Sequence, residues 1–309
     1  MRVLVTGGAG FIGSNVVDAL VDQGHQVAIV DDLSTGLAKN INPKARFYKT
    51  SIVDPALSAV FEKERPEIVN HQAAQMVIQK SVDDPIFDAE QNILGSLNLI
   101  LQCLSSGVRK VIYASSGGAV YGETKYRPAD EEHPINPISQ YGVSKHTVEH
   151  YFEVYGRQHG LEHVVLRYAN VYGPRQIPQG ESGVVAVFMK QMLNGERPTI
   201  FGQGDKTRDY IHVSDVVAAN LLAMVKGKDT IYNIGTGVET TDQEMFNSIA
   251  RLAGYKGDPH YAPVRKSEIL RTCLECSKAR RELGWQPRLS LEQGLSITFA
   301  ALRTSTAGN

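Results

Sequence analysis

The chain has 309 residues, of which 42% are apolar, and its 32 basic residues almost balance its 33 acidic ones. This length buries a large core in one large or two ordinary domains of ~150 residues each. The chain lacks the basic surplus of nucleic-acid or anionic-membrane binders, and its three cysteines are too few for a disulfide scaffold. No apolar run reaches the roughly 18 residues of a membrane span, and residues 2–6 are too short a run for a signal peptide. We therefore expect a cytoplasmic protein without nucleic-acid or membrane partners.

Short apolar runs alternate with amphipathic stretches through the first part of the chain. The pattern predicts strands at 2–6, 26–30, 68–71, 110–114 and 163–168, and helices at 12–23, 55–63, 84–105 and 140–159. Alternating strands and helices are typical of βαβ units, and near-continuous apolar strands indicate a parallel sheet covered on both faces. The predicted fold class is α/β, with a doubly wound parallel (Rossmann) sheet.

The pattern changes after Gly173, where loops lengthen and turn residues become denser. Residues 209–235 still indicate strand, helix and strand, so we expect this segment to return to the sheet. Helices are also predicted at 183–193, 214–226, 242–253, 277–283 and 291–300. The sequence therefore predicts one unit made of residues 1–172 plus about 209–235, and a smaller C-terminal α/β lobe made of residues 173–208 and 236–309.

Residues 6–13 form a glycine-rich turn between the first strand and the first helix. Gly7 permits a tight turn, Gly10 lets the backbone approach a phosphate, and Gly13 lets the helix pack close to the strand. The helix N-terminus then faces a pyrophosphate. Asp31 ends the next strand, where its carboxylate can accept hydrogen bonds from ribose hydroxyls and repel a 2′-phosphate. The turn therefore predicts binding of NAD rather than NADP.

Tyr141 and Lys145 are four residues apart in a predicted helix and so share one face. The Lys145 ammonium, together with a positive nicotinamide ring, is expected to lower the pKa of the Tyr141 phenol so that it acts as a base near neutrality. Ser116 lies just beyond a predicted strand, where a doubly wound sheet presents its ligand contacts. Its hydroxyl can bond a substrate hydroxyl and share that proton with Tyr141.

Taken together, these motifs resemble those of the extended short-chain dehydrogenase/reductases, and within that family those of the UDP-galactose 4-epimerases. The likeness runs through residues 6–13, 71–74, 115–116, 141–145, 167–175, 208–215 and 277–285. It implies an isomerase of galactose metabolism that interconverts UDP-glucose and UDP-galactose. Tyr141 would take the proton of the sugar 4-hydroxyl while C4 gives a hydride to NAD. The 4-keto sugar would then turn over, the hydride would return to its other face, and Tyr141 would return the proton.

The resemblance also implies partners and contacts. NAD would remain bound throughout, Lys145 would hold its nicotinamide ribose, and two chains would pair through a four-helix bundle of residues 84–105 and 140–159. Implied NAD contacts, besides the glycines, Asp31, Tyr141 and Lys145, are Phe11, Ile12, Asp32, Ser34, Thr35, Gly36, Ser51, Ile52, Gln72, Ala73, Ala74, Asn92, Ser115 and Tyr168. Implied UDP-sugar contacts are Ser116, Gly117, Tyr141, Asn170, Val184, Val185, Thr199, Phe201, Arg208, Arg265 and Glu268, and no metal is expected.

The chain departs from its relatives at a few positions that bear on specificity. Many epimerases carry the active-site hydroxyl where this chain has Gly117, so we assign that role to Ser116. Glu268 stands where relatives carry an aspartate for the uridine ribose, after a serine in place of the usual glycine. A position that is bulky in epimerases that reject N-acetylated sugars aligns with Thr272. The small Thr272 predicts turnover of UDP-GlcNAc and UDP-GalNAc as well.

The sequence also bears on other functions of related proteins. The related 4,6-dehydratases and UDP-glucuronate decarboxylases carry carboxylates where this chain has Gly117 and Gly118, so both are disfavoured. A UDP-glucuronate 4-epimerase shares the whole machinery and stays open. A non-catalytic NAD-sensing protein is the alternative of another class, although such proteins typically lose the Tyr/Lys pair. We interpret the CxxC of residues 273–276 as a coincidence, and the pair His146 and His150 as helix surface or a subunit contact.

Overall fold

The computed structural model describes residues 1–178, 183–264 and 269–306. The strands are β1 (Arg2–Thr6), β2 (Gln26–Val30), β3 (Arg46–Tyr48), β4 (Ile68–His71), β5 (Lys110–Ser116), β6 (Glu162–Tyr168), β7 (Asn170–Tyr172), β8 (Thr199–Phe201), β9 (Thr207–His212), β10 (Thr230–Ile234), β11 (Glu239–Thr241) and β12 (His260–Ala262). The helices are α1 (Phe11–Asp22), α2 (Leu57–Glu64), α3 (Ile78–Asp83), α4 (Pro85–Ala89), α5 (Gly95–Ser105), α6 (Gly117–Val120), α7 (Gln140–His159), α8 (Val184–Leu193), α9 (Val213–Val225), α10 (Asp242–Ala253), α11 (Ser277–Glu282) and α12 (Leu291–Thr306).

A seven-stranded sheet with the order β10-β6-β5-β4-β1-β2-β3 forms the centre of the protein, and every neighbouring pair in it is parallel. The predicted doubly wound fold class is confirmed. The strand order reverses between β1 and β4, and ligands of such sheets bind beyond the carboxyl ends of the strands at that switch point. The glycine-rich turn of residues 6–13 leaves β1 at this switch point.

Helices cover both faces of the sheet and bury its apolar side chains. On one face α1 and α9 pack together, and residues such as Val16, Leu20 and Val216 join the core there. On the other face α5 and α7 contribute side chains that include Leu99 and Phe152. Because both faces are covered, β4 is buried along its whole length and β5 and β6 at six of their seven residues, which explains their near-continuous apolar sequences.

The prediction from the sequence differs from the structure in several places. It missed β3, β7, β8, β11 and β12, each of which has three residues and is too short to show a periodicity. The helix predicted over 84–105 is interrupted by a π-helical turn at Glu90–Leu94, where the Asn92 side chain bonds the backbone of Gln75 in both directions. Of the segment predicted to return to the sheet, only β10 does so, because β9 pairs with β7 and β11 in a separate sheet.

The C-terminal part builds its own apolar cluster beside the main sheet. Helices α8, α10 and α12 enclose Phe188, Met189, Phe246 and Ile249. Two small sheets, β11-β9-β7 and β12-β8, lie in this part of the chain. Within the described residues, no helix is both long and apolar enough to cross a membrane.

A buried ion pair fixes α7 to the sheet. Glu149 of α7 receives two hydrogen bonds from Arg167 of β6, at 3.0 and 2.6 Å, and both side chains are 3% exposed. Burial raises the pKa of Glu149, but hydrogen bonds from His146, Arg167 and Ser115 outweigh that effect and bring it to about 2. The carboxylate is therefore ionised in the folded protein, and it determines how α7 lies on β5 and β6.

We predict that Glu149→Gln destabilises the fold by about 3–5 kcal/mol, because it leaves the Arg167 guanidinium buried without a charged partner. The double variant Glu149→Gln/Arg167→Met should recover part of that loss. Urea unfolding followed by circular dichroism measures both. Glu153→Gln on the same helix is the matched control, since its pair with Arg157 is exposed and is worth about 0.3–0.5 kcal/mol. Equal losses in the Glu149 and Glu153 variants would contradict the assigned role.

Candidate active site

The glycine turn after β1 has the shape that a dinucleotide needs. Gly7 adopts a left-handed backbone conformation with φ +68°, and a Cβ there would lie 2.7 Å from the Ala73 backbone nitrogen. A side chain at Gly13 would overlap the Gly7 carbonyl oxygen, so α1 reaches the turn only because that side chain is absent. The N-terminus of the twelve-residue α1 therefore opens onto a cradle without side chains, which suits a pyrophosphate.

Asp31 lies at the end of β2, beside this turn. Its Oδ2 accepts a 2.9 Å hydrogen bond from the Ala9 amide and its Oδ1 a 2.8 Å bond from the Leu33 amide. Burial raises the pKa of Asp31, while those two bonds act in the opposite direction. A Cβ at Gly36 would come within 2.6 Å of Oδ1, so the glycine keeps the space beside the carboxylate free. The geometry suits a carboxylate that accepts hydrogen bonds from ribose hydroxyls.

Two of the predicted NAD contacts belong to a hydrogen-bond network at the switch point of the sheet. The Gln72 side chain donates to Asn70 at 2.7 Å and to the Tyr168 hydroxyl at 3.2 Å. Asn220 of α9 donates to the Tyr168 hydroxyl at 2.8 Å and accepts from Asn70 at 2.9 Å. The network fixes the ends of β4 and β6 relative to each other.

The remaining predicted NAD contacts differ in how far their side chains are exposed to solvent. Ser115 points toward α7, where its hydroxyl donates to Glu149, and Ile52 is buried in the core. Asp32 accepts hydrogen bonds from the amide and hydroxyl of Ser34, in an exposed loop that also includes Thr35. Phe11, Ile12, Ser51, Ala73 and Ala74 are half-buried.

The predicted catalytic side chains meet where α7 begins, above the end of β5. Ser139 caps the helix by accepting a hydrogen bond from the Gly142 amide at 3.2 Å. The Ser116 hydroxyl acts to lower the pKa of the Tyr141 phenol, and the Lys145 ammonium lies 5.9 Å from the centre of the Tyr141 ring. Lys145 itself donates at 2.9 Å to the Ala114 carbonyl. The structure thus brings together all three residues that the sequence singled out.

The protein's own groups raise the pKa of Tyr141 overall, and the expected lowering by Lys145 together with a nicotinamide ring stays a prediction. Burial raises the pKa of Tyr141 to about 12, and it is the hydrogen bond with Ser116 that acts to lower it. The pKa of Lys145 is lowered to about 8, first by burial, while the charges of Asp88 and Glu149 act against that fall. The ammonium is aimed at a carbonyl rather than at the phenol, so a further positive charge is needed to make Tyr141 a base near neutrality.

The structure leaves no space for a side chain at residue 117. Gly117 is buried, and a Cβ there would lie 2.6 Å from the Leu274 side chain. Leu274 is held in that position by a backbone bridge to Ala129. A Cβ at Gly118, by contrast, would make only ordinary contacts of 3.5 Å with Asn170 and 3.9 Å with Ser116. The site therefore has room beside Gly118 and none beside Gly117.

The predicted UDP-sugar contacts are spread over the C-terminal part. The Arg208 guanidinium donates to the carbonyls of Thr207, Ile269 and Leu270 and so holds the segment that follows residue 268. Val185 is buried in the apolar cluster of α8, α10 and α12. Val184, Thr199 and Phe201 are half-buried, whereas Arg265 and Glu268 lie outside the described residues.

Three charged residues of the site were missed by the sequence analysis: Glu149, Arg167 and Asp88. Glu149 follows Lys145 by four residues and thus continues the spacing of Tyr141 and Lys145, which is a signal that could have found it. Arg167 lies in the segment 167–175, one of those that carry the family resemblance. Asp88 gave no local signal, since only the fold brings α4 against α7.

The cysteine and histidine pairs show no metal geometry. Burial raises the pKa of Cys273 to about 12 and that of Cys276 well above its ordinary value, so both thiols stay protonated. His146 and His150 approach each other to 3.1 Å between their Nε2 atoms on the surface of α7. In the part of the chain that the structure describes, no group of three or more His, Cys, Asp or Glu side chains could hold a metal ion.

The chain is similar to known proteins over nearly its whole length. The UDP-glucose 4-epimerase of Thermotoga maritima, solved with UDP-glucose, is 48% identical, with a TM-score of 0.98 over 99% of this chain and 100% of that one. The UDP-glucose 4-epimerase of Thermus thermophilus, solved with NAD, is 42% identical, with a TM-score of 0.94 over 98% and 99% of the two chains. The UDP-glucose 4-epimerase of Mycolicibacterium smegmatis is 43% identical over 99% of this chain and 100% of its own.

A family model describes the same likeness over most of the chain. The NAD dependent epimerase/dehydratase model matches residues 3–235, which include the glycine turn, Asp31, Ser116 and the Tyr141–Lys145 pair. The fold, the nucleotide turn and the comparisons thus agree, and the resemblance found in the sequence is confirmed. The chain belongs to the NAD dependent epimerase/dehydratase family and is an enzyme whose cofactor is NAD.

Proposed function

We propose that the protein is a UDP-hexose 4-epimerase that interconverts UDP-glucose and UDP-galactose by transient oxidation at C4. The observation that carries this proposal is the placement of Tyr141 beside Lys145 at the end of β5, next to Ser116 and a loop that has glycines at 117 and 118 instead of carboxylates. Oxidation and reduction at one sugar carbon need a proton carrier and a hydride carrier. Elimination or decarboxylation needs a further acid or base, which this loop does not supply.

The residues of the glycine turn fit NAD, with the pyrophosphate at Gly7, Gly10 and Gly13 and the adenosine ribose at Asp31. NAD held there would supply the acceptor and donor of the C4 hydride, and its oxidised ring would supply a positive charge to the site. The chain itself moves the proton, since Tyr141 takes it from the 4-hydroxyl and gives it back after the sugar turns. Ser116 orients that hydroxyl, and Lys145 holds the nicotinamide ribose.

We propose that residues 1–172 plus about 209–235 bind NAD and that residues 173–208 and 236–309 hold the UDP-sugar. In this division Asn170 and Arg208 contact the diphosphate, as does Arg265, while Glu268 contacts the uridine ribose and residues 199–201 line the uracil slot. The separate apolar cluster of α8, α10 and α12 supports a distinct second unit. An arginine suits the diphosphate because its planar fork meets two oxygens at once.

A UDP-glucuronate 4-epimerase is the second candidate, and the charge of the loop that follows Ser116 favours it. The same loop carries no negative charge at 117 or 118 that would repel a carboxylate. Both candidates use the same Tyr141 chemistry, so only the substrate distinguishes them.

We also propose that two chains pair through α5 and α7 as a cytoplasmic homodimer. The helix region from α4 to α5 exposes Ile86, Leu94 and Leu101, and α7 exposes Val143 and Val154. Apolar side chains exposed along neighbouring helices need a partner, and a second copy of the same helices would complete a four-helix bundle.

A panel of UDP-galactose, UDP-GlcNAc and UDP-glucuronate, incubated without added NAD and separated by chromatography, tests the function. We expect the purified protein to convert UDP-galactose to UDP-glucose, with Tyr141→Phe lowering kcat by about 10²–10⁴-fold because the proton carrier is lost. Tyr151→Phe removes a phenol from the same helix and should leave turnover unchanged. Protein that holds NAD yet turns over none of these sugars would instead be a non-catalytic NAD-binding protein.

A second prediction concerns Ser116. Its hydrogen bond acts to lower the pKa of Tyr141, so Ser116→Ala should raise that pKa and move the acid limb of the kcat/KM profile to higher pH, with reduced turnover. Ser116→Thr keeps the hydroxyl and should keep the wild-type limb. Unchanged turnover and an unchanged limb in Ser116→Ala would refute the assignment.

A third prediction concerns N-acetylated sugars. Thr272 is 3% exposed and lies two residues before Leu274, whose side chain lies next to Gly117. We expect the wild-type protein to interconvert UDP-GlcNAc and UDP-GalNAc, and Thr272→Tyr to lower that activity about tenfold or more relative to UDP-galactose by filling the space. Thr272→Val keeps the volume and should retain both activities. A wild-type protein that makes no new sugar nucleotide from UDP-GalNAc would rule out this extension.

A further inference from the structure

Asp88 of α4 is a fully buried carboxylate whose hydrogen-bond partners are all neutral. Its Oδ2 accepts a 2.6 Å hydrogen bond from the Ser144 hydroxyl, and its Oδ1 accepts bonds of 2.9 Å from Gln75 and 3.0 Å from Asn92. The side chain is 0% exposed. A buried negative charge without a positive partner is strongly unfavourable, so the charges nearby decide what this carboxylate does.

Ser144 joins Asp88 to the catalytic helix. It directly precedes Lys145 and follows Tyr141 by three residues, so Asp88 lies against α7 within one turn of both catalytic side chains. The Asn92 bond comes from the π-helical turn that follows α4, and the same amide holds the backbone of Gln75. The carboxylate is thus held from α7, from the π-helical turn and from the loop at Gln75.

The other titratable and charged groups of this interior differ from Asp88 in being paired or uncharged. Glu149 of α7 also raises the pKa of Lys145, but it is paired directly with Arg167 of β6. His71 of β4 is uncharged, because burial and the Lys145 charge lower its pKa to about 3. Tyr113 of β5 is buried and protonated, with a pKa well above its ordinary value. Asp88 acts on both catalytic groups, since its charge raises the pKa of Lys145 and that of Tyr141.

We propose that Asp88 is a positioning residue for epimerisation, whose negative charge keeps the Lys145 ammonium charged and opposes ionisation of Tyr141. The charge of Asp88, which lies between α4 and α7, then helps to set the pH range in which the reaction proceeds. This inference rests on the proposed epimerase function. Asp88 would contact neither sugar nor cofactor, and it would act through Lys145 and Tyr141, which would contact them.

The charge of Asp88 can be removed while its contacts are kept. In Asp88→Asn the amide oxygen still accepts from Gln75 and Asn92, and the amide nitrogen donates to the Ser144 hydroxyl, which can accept as well as donate. Without the negative charge, the pKa of Lys145 and that of Tyr141 both fall. The acid and alkaline limbs of the kcat/KM profile should therefore both move to lower pH, by about one unit.

Two control variants separate charge from structure. Asp84→Asn removes the same charge four residues earlier, at an exposed position where asparagine can still cap α4 by accepting from the Phe87 amide. It should leave both limbs in place. Ser144→Ala removes the contact to α7 but keeps the carboxylate, and should lower turnover with a much smaller movement of the limbs.

The test compares kcat/KM profiles from about pH 5 to pH 10 for the wild-type protein and the three variants. A second readout needs no activity, namely the pH midpoint of the Lys145 Cε resonance in protein labelled with carbon-13 lysine, assigned with Lys145→Arg. We expect Asp88→Asn alone to move both limbs and the resonance midpoint to lower pH. Reduced turnover with unmoved limbs and an unmoved midpoint would show a purely structural role and overturn the proposal. If the wild-type protein turns over no UDP-sugar, the proposed function fails, while the Lys145 midpoint still decides the role of Asp88.

Discussion

The placement of α7 over the carboxyl ends of β5 and β6 is the constraint on which the rest of the site depends. Arg167 and Glu149 form a double hydrogen-bonded ion pair that joins β6 to α7 in the interior. An arginine–carboxylate pair of this kind fixes direction as well as distance, because both planar groups must lie in register. Tyr141 and Lys145, on the same helix, are thereby held above Ser116 at the end of β5.

This arrangement places several charges where water cannot reach them, so each must be compensated within the protein. Arg167 pairs directly with Glu149, whereas Lys145 and Asp88 lie on different helices, and we propose that their charges compensate each other. Burial opposes charge on both catalytic side chains, which keeps the phenol of Tyr141 protonated in the protein alone. A phenol that ionises near neutral pH only when a positively charged cofactor lies beside it would not act as a base until that cofactor is bound.

The small residues of the site also have physical reasons. Gly7 and Gly13 let two backbone segments approach more closely than side chains allow, and this leaves the α1 N-terminus open for a phosphate. Gly117 makes room for Leu274, which lies between the two cysteines of the CxxC. That segment therefore contributes through its leucine rather than through its thiols, both of which stay protonated.

The sequence by itself determined the features whose cause is local. Runs of buried apolar residues marked five of the strands in the parallel sheet, the spacing of the glycines marked the turn, and the four-residue separation placed Tyr141 and Lys145 on one face. Only the tertiary structure decided the features whose cause is a long-range contact. The π-helical turn lies where the Asn92 side chain bonds the backbone of Gln75. Strand β3 forms by pairing with β2, a contact that its own three residues do not predict. Strand β9 pairs with β7 and does not join the main sheet. The pKa of Tyr141 and the role of Asp88 depend on burial and on charges from other elements, which no periodicity along the chain records.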